Sequence, residues 1–124
     1  MTDDELGERI IGCAIAVHSA LGPGLLESVY EACLVYELGK AGLEVGRQVS
    51  LPIQYEDVIL DGGLKLDLLV GRRVVVELKA TEKLLPIHTA QLLSYLRLSR
   101  LRVGYLLNFN VRRMRDGIKR VVNG

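Results

Sequence analysis

The chain has 124 residues, 49% of them hydrophobic and 25% charged, with a formal net charge of +1. That is enough for one domain with a real core, which we expect to span 1–124, and it excludes a mainly disordered chain. No apolar run reaches the roughly 18 residues of a membrane-spanning helix, and the N-terminal MTDDELGERI is acidic where a secretory leader would be basic and then apolar, so no membrane association and a cytoplasmic location are expected.

Thr2-x-x-Glu5 has the form of a capping box, and Leu6, Ile10, Cys13/Ala14, Val17 and Leu21 follow at helical spacing. Gly22-Pro23-Gly24 should end this first helix. A second helix is predicted from about Leu26 to Lys40, with Leu26, Val29/Tyr30, Cys33/Leu34 and Glu37/Leu38 tracing its faces and Gly42 as its stop. Glu27 lies beside that stripe, with Tyr30 and Glu31 as its neighbours at i+3 and i+4. Cys13 and Cys33, with His18 and His88, lack any zinc-ligand spacing, and the cysteines read as structural thiols.

From Val45 the period becomes two, which makes Val45 to Tyr55 a strand, and Pro52 argues for an edge or a bulge. Glu56-Asp57 should turn the chain. Val58-Ile59-Leu60 reads as a short strand, Asp61-Gly62-Gly63 as a turn, and Leu64 to Val70 as a further strand. After a tight turn at Gly71-Arg72-Arg73, Val74 to Lys79 is the most β-prone run and is predicted to be a central, doubly covered strand. Pro86 opens a third helix to about Ser99, carrying Gln91. Val103 to Asn108 and Gly117 to Val122 close the chain as strands.

Charge is distributed unevenly. Residues 1–96 sum to −6 and residues 97–124 to +7. In the basic segment Arg112, Arg113, Arg115, Lys119 and Arg120 suit phosphates of a nucleic acid, or else form a solvated surface. Stacking aromatics are scarce there, with Phe109 the one close by.

The chemistry concentrates in the hairpin closed by Gly71-Arg72-Arg73. If Val70 faces Val74, partner numbers sum to 144 and Asp67 faces Glu77, with Lys79 on the Glu77 face and Lys65 opposite Lys79. Like charges across a strand pair are destabilising, so carboxylates set among valines and leucines call for a reason. A divalent cation, Mg²⁺ or Mn²⁺, supplies one, since it takes hard oxygen ligands and activates water. The alternative is a surface ion pair of Glu77 with Lys79 or Lys65, contributing roughly 0–1 kcal/mol.

Asp67 followed after nine residues by Glu77-Leu78-Lys79 resembles the D-(x)n-E-x-K signature of the PD-(D/E)XK nuclease superfamily. Gly24-Leu25-Leu26-Glu27-Ser28-Val29-Tyr30 further resembles the G-x-x-E-x-x-Y motif that names a small bacterial family within it. So do Gly22-Pro23-Gly24, the helix from His88 through Gln91 to Leu96, and Leu107-Asn108-Phe109-Asn110, so that the resemblance runs from about Ile10 to Val121. Leu66 stands where the superfamily's name has proline, which contributes no ligand.

The resemblance implies an α/β fold with a restriction-endonuclease-like αβββαβ core, a central mixed sheet flanked by helices. It implies a metal-dependent phosphodiesterase acting on DNA or RNA. Asp67, Glu77 and the Leu78 backbone carbonyl would bind the ion, Lys79 would assist the attacking water, Glu27 would be the helix-borne acid and Gln91 would orient water or phosphate. Tyr30, His88 and Tyr95 are candidates for the rim, the tyrosines also reading as packing residues. Two other readings stay open: a nuclease-fold module that docks on nucleic acid or a protein without cleaving, and a structural partner in a larger assembly. The chain is small for gripping DNA alone, and a homodimer would add surface.

Overall fold

The computed structural model describes all of residues 1–124. Helix α1 (Asp3–Leu21) starts at the expected capping box. Thr2 Oγ1 accepts from the Glu5 amide at 3.1 Å, and Glu5 Oε1 accepts from the Thr2 amide at 3.0 Å, satisfying two amides that helix geometry leaves without partners. Helix α2 (Glu27–Lys40) follows the Gly22-Pro23-Gly24 break. Strands β1 (Val45–Tyr55), β2 (Val58–Val70) and β3 (Val74–Lys79) form a meander. Helix α3 (Pro86–Ser99), β4 (Val103–Asn108), a 3-10 turn (Met114–Gly117) and β5 (Ile118–Val122) complete the chain.

The five strands lie in sequence order in one mixed sheet. Every neighbouring pair is antiparallel except β3 and β4, which are parallel and joined by the α3 crossover. This is the α/β architecture expected, a mixed sheet flanked by helices. Leu6, Ile10, Ala14 and Val17 of α1, with Tyr30, Leu34 and Leu38 of α2, pack on one face against Val74, Val76 and Leu78. Leu92 and Leu96 of α3 pack on the other against Val75 and Leu106. Strand β3 is therefore central and covered on both sides, as its valine run requires.

Four expectations need correction. Asp61-Gly62-Gly63 is not a turn: β2 runs on from Val58 to Val70, and the register moves from Leu51↔Leu64 to Ile53↔Leu60. Pro52, which has no amide to donate, thus stands against the three residues Asp61 to Gly63, and Gly62 at φ 66° accommodates the bulge. Leu21 and Leu26 are exposed, Leu26 at 75%, because Leu26 caps α2 from outside its first turn. Lys65 does not oppose Lys79. The β2–β3 ladder ends at Leu68↔Val76, before it reaches Lys65, whose registered partner is Ser50 on the β1 side.

The fourth correction concerns counting by twos along β2. Leu68 and Val70 pack with α1 and α2, yet Leu64 and Leu66, of the same parity, pack with α3. On β1, Val45 and Val49 likewise pack on opposite faces. Both strands change face at one level, where Gln48 stands between the pairs Arg47↔Leu68 and Val49↔Leu66, opposite Asp67. Gln48 has φ 50°, in the left-handed region that residues other than glycine seldom occupy.

The parallel β3–β4 pair sends the ends of both strands out of the same end of the sheet, with Lys79 beside Asn108. Asn108, 2% exposed, fixes the two outgoing loops. Its Oδ1 accepts from the Thr81 and Asn110 amides at 3.1 and 3.2 Å, and its Nδ2 donates to the Thr81 carbonyl at 3.0 Å. A Cβ on Gly117 would collide with the Asn108 backbone carbonyl. Gly117→Ala should therefore lower stability by about 1–3 kcal/mol in urea unfolding, and an unchanged midpoint would show that this contact is slack.

Candidate active site

Below the last registered pair of β2 and β3, Asp67 and Glu77 occupy the next rung, as the sum of 144 requires, but side chains replace the backbone ladder. The Asp67 amide donates to Glu77 Oε2 at 2.7 Å, and the Leu78 amide donates to Asp67 Oδ2 at 3.0 Å. Each carboxylate thus takes an amide of the opposite strand. A strand residue's N–H and C=O project from the same edge, so the Leu78 carbonyl also faces this gap.

Glu77 is 5% exposed and makes no ion pair, so the alternative of a surface pair with Lys79 or Lys65 does not describe it. Burial first, and then the Asp67 charge, push its carboxyl up to about 8. Asp67 is raised by burial, against the pull of the Leu78 amide. Glu27, at the open rim in the first turn of α2, is raised by loss of hydration and then by Asp67, against the pull of Lys79. Tyr95 of α3 is raised by burial and then by the charges of Glu77 and Asp67. Lys79 has no ion-pair partner within the chain, while its charge holds Glu27, Asp67 and Glu77 down.

The remaining candidates divide. Gln91 is exposed and its side-chain amide has no hydrogen-bond partner within the chain; it lies one turn before Tyr95 and hence on the same side of α3. His88 caps that helix, its Nδ1 accepting from the Leu85 amide at 3.0 Å. Tyr30 is fully buried. Its hydroxyl donates to the Gly22 carbonyl at 2.6 Å and accepts from the Leu25 amide at 3.0 Å, and its ring stacks on Phe109 at 4.7 Å. It braces the loop that leads into Glu27.

The basic segment is split. Arg112, Arg113 and Arg115, none ion-paired, line a groove of about 430 Å³ with His18, Ser19, Gly22 and Pro23. Lys119 and Arg120 lie apart on β5, and Arg120 is paired with Asp4 of α1 at 3.1 Å.

Residues the sequence did not single out complete the acidic site. Glu31, 8% exposed, accepts from Arg47 Nε at 2.9 Å and Gln48 Nε2 at 2.6 Å. The signal was present in the helical i+4 step from Glu27 to Glu31. The link to Gln48 required the β1–β2 register.

No three His, Cys, Asp or Glu side chains are gathered as a ready metal cage. A small hard cation does not need one, since Mg²⁺ is commonly held through one or two carboxylates and keeps several waters. Hard oxygen donors, buried and in mutual repulsion without a neutralising ion pair, fit such an ion.

A mixed sheet with an acidic pair and a lysine on adjacent inner strands, flanked by helices, defines the restriction-endonuclease-like class. The family model described as the PD-(D/E)XK nuclease superfamily matches residues 4–121, and the chain belongs to that superfamily. Its nucleases generally use divalent metals. No curated protein and no solved structure matches the chain.

Because Glu77 titrates near 8 in the fold and near 4.3 when unfolded, only the folded state keeps its proton between those values. Metal-free protein should therefore lose stability as pH rises from about 5 to 8, by on the order of a few kcal/mol, and then level off. Thermal melts of Glu77→Gln should lack most of this decline. An identical pH profile in both proteins would contradict the assignment.

Proposed function

We propose that the chain is a divalent-metal-dependent phosphodiesterase that hydrolyses nucleic acid, acting as one domain over 1–124 in the cytoplasm. The observation that carries this reading is the interlocked Asp67–Glu77 pair beside an unpaired Lys79. The Gly24, Glu27 and Tyr30 spacing supports placing it in the GxxExxY group.

Asp67, Glu77 and the Leu78 carbonyl would hold Mg²⁺ or Mn²⁺, which supplies an activated water and Lewis-acid stabilisation of phosphate charge. Lys79 contributes a fixed positive charge where the phosphoryl group gains negative charge. Glu27, held above the ordinary carboxylate range, is suited to keep or give up a proton at the rim. Gln91, whose amide has no partner in the chain, would hydrogen-bond a phosphate oxygen or water, with Tyr95 beside it. His88 secures the start of the same helix.

Arg112, Arg113 and Arg115 would hold backbone phosphates away from the cut, with Lys119 and Arg120 as outlying contacts. Their freedom from ion pairs also favours the second reading, a nuclease-fold module that docks on nucleic acid without cleaving it. A homodimer would enlarge either binding surface.

Cleavage of labelled DNA and RNA separates the two. The first reading predicts turnover in Mn²⁺ or Mg²⁺, none in chelator, and losses of at least about 100-fold in Glu77→Ala and Lys79→Ala. Background cleavage equal in all three proteins would leave only docking. In chelator, replacing Arg112, Arg113 and Arg115 together should flatten the slope of log affinity against log salt by about 2 for a single strand; an unchanged slope would remove them from the interface.

A further inference from the structure

Gln48 plays no part in the chemistry assigned above, yet its backbone is the strained element closest to the site. It lies on β1 directly across from Asp67, at the level where both strands change face. A left-handed φ at a residue other than glycine persists where its surroundings hold it, and such positions cluster at functional sites. Its side chain is engaged as well. Gln48 Nε2 donates to Glu31 Oε1 at 2.6 Å, while the other Glu31 oxygen accepts from Arg47 Nε at 2.9 Å.

The geometry points to Gln48 as a positioning residue for Asp67, coupling that carboxylate to the Arg47–Glu31 ion pair on α2 and β1. An amide nitrogen has two protons to donate, and Glu31 uses one. The second is available to Asp67, which lies directly across the strand pair. Glutamine suits this place because it is neutral. It can bridge two carboxylates whose charges repel, which neither a carboxylate nor an aliphatic side chain could do. Arg47 offsets the Glu31 charge at the far end of the chain of contacts, and Asp67 in turn receives the Leu78 amide. Four elements, α2, β1, β2 and β3, are thereby tied to one another.

Gln48 is solvent-exposed, so Gln48→Leu removes the donors with little loss of packing and keeps a side chain at the same backbone angle. Hydrogen exchange of metal-free protein, followed amide by amide, reads the effect without catalysis. The Leu78 amide should exchange at least about tenfold faster in Gln48→Leu, while the other β3 amides keep their rates. Glu31→Gln, which retains an acceptor for Gln48 but loses the charge facing Arg47, should give a smaller change. A Leu78 rate unaltered by Gln48→Leu would overturn the assignment. The consequence for metal rests on the reading proposed above: Mn²⁺ affinity by calorimetry should fall about tenfold or more in Gln48→Leu, and an unaltered affinity would likewise count against Gln48. Should the parent protein bind no Mn²⁺, the metal reading fails, and the exchange rates still decide whether Gln48 positions Asp67.

Discussion

The site depends on one exchange of hydrogen bonds. Where β2 and β3 would add another rung of backbone pairing, the carboxylates of Asp67 and Glu77 cross over and take each other's strand amides at 2.7 and 3.0 Å. This satisfies two amides that would otherwise be left unpaired at the end of the ladder. It also holds two acidic groups in a half-dry gap, where burial raises both and the Asp67 charge raises Glu77 further. In an isolated hairpin that arrangement would be costly. Here the valines of β3, covered on both faces, and the parallel pairing to β4 supply the stability that keeps the strand in place.

The surroundings act on the same few atoms. Helix α2 brings Glu27 to the rim and Glu31 behind Asp67, and its Tyr30 anchors the Gly22–Leu25 loop so that the first turn is fixed. Helix α3 packs Tyr95 beside the core cluster of Leu66, Val75 and Leu106. Asn108 staples the loops after β3 and β4, and the second of these carries the three unpaired arginines to the groove beside Gly22 and Pro23. Acidic and basic surfaces therefore leave the sheet at one end, although they come from different segments of the sequence.

Much of this was legible in the residues. The hairpin rule, taken from Gly71-Arg72-Arg73, gave the observed pairs Val70↔Val74 and Leu68↔Val76 and the meeting of Asp67 with Glu77. Proline and the valine run placed the edge strand and the central strand. What escaped were departures from strict period two. The face change at Gln48 and Asp67, and the bulge at Asp61-Gly62-Gly63, are set by pairing between strands and by backbone angles that periodicity does not encode. The division of the basic tail escaped for a related reason. Residues adjacent in sequence are spread over a loop and a sheet edge, and Arg120 spends its charge on Asp4.

The most direct measurement is an anomalous-diffraction map from a crystal soaked in Mn²⁺. The account predicts a single strong peak in the gap between β2 and β3, bounded by oxygens of Asp67 and Glu77 and the Leu78 carbonyl. A map with no peak there, or with manganese bound only elsewhere on the molecule, would contradict the claim that this acidic pair is built to hold a cation.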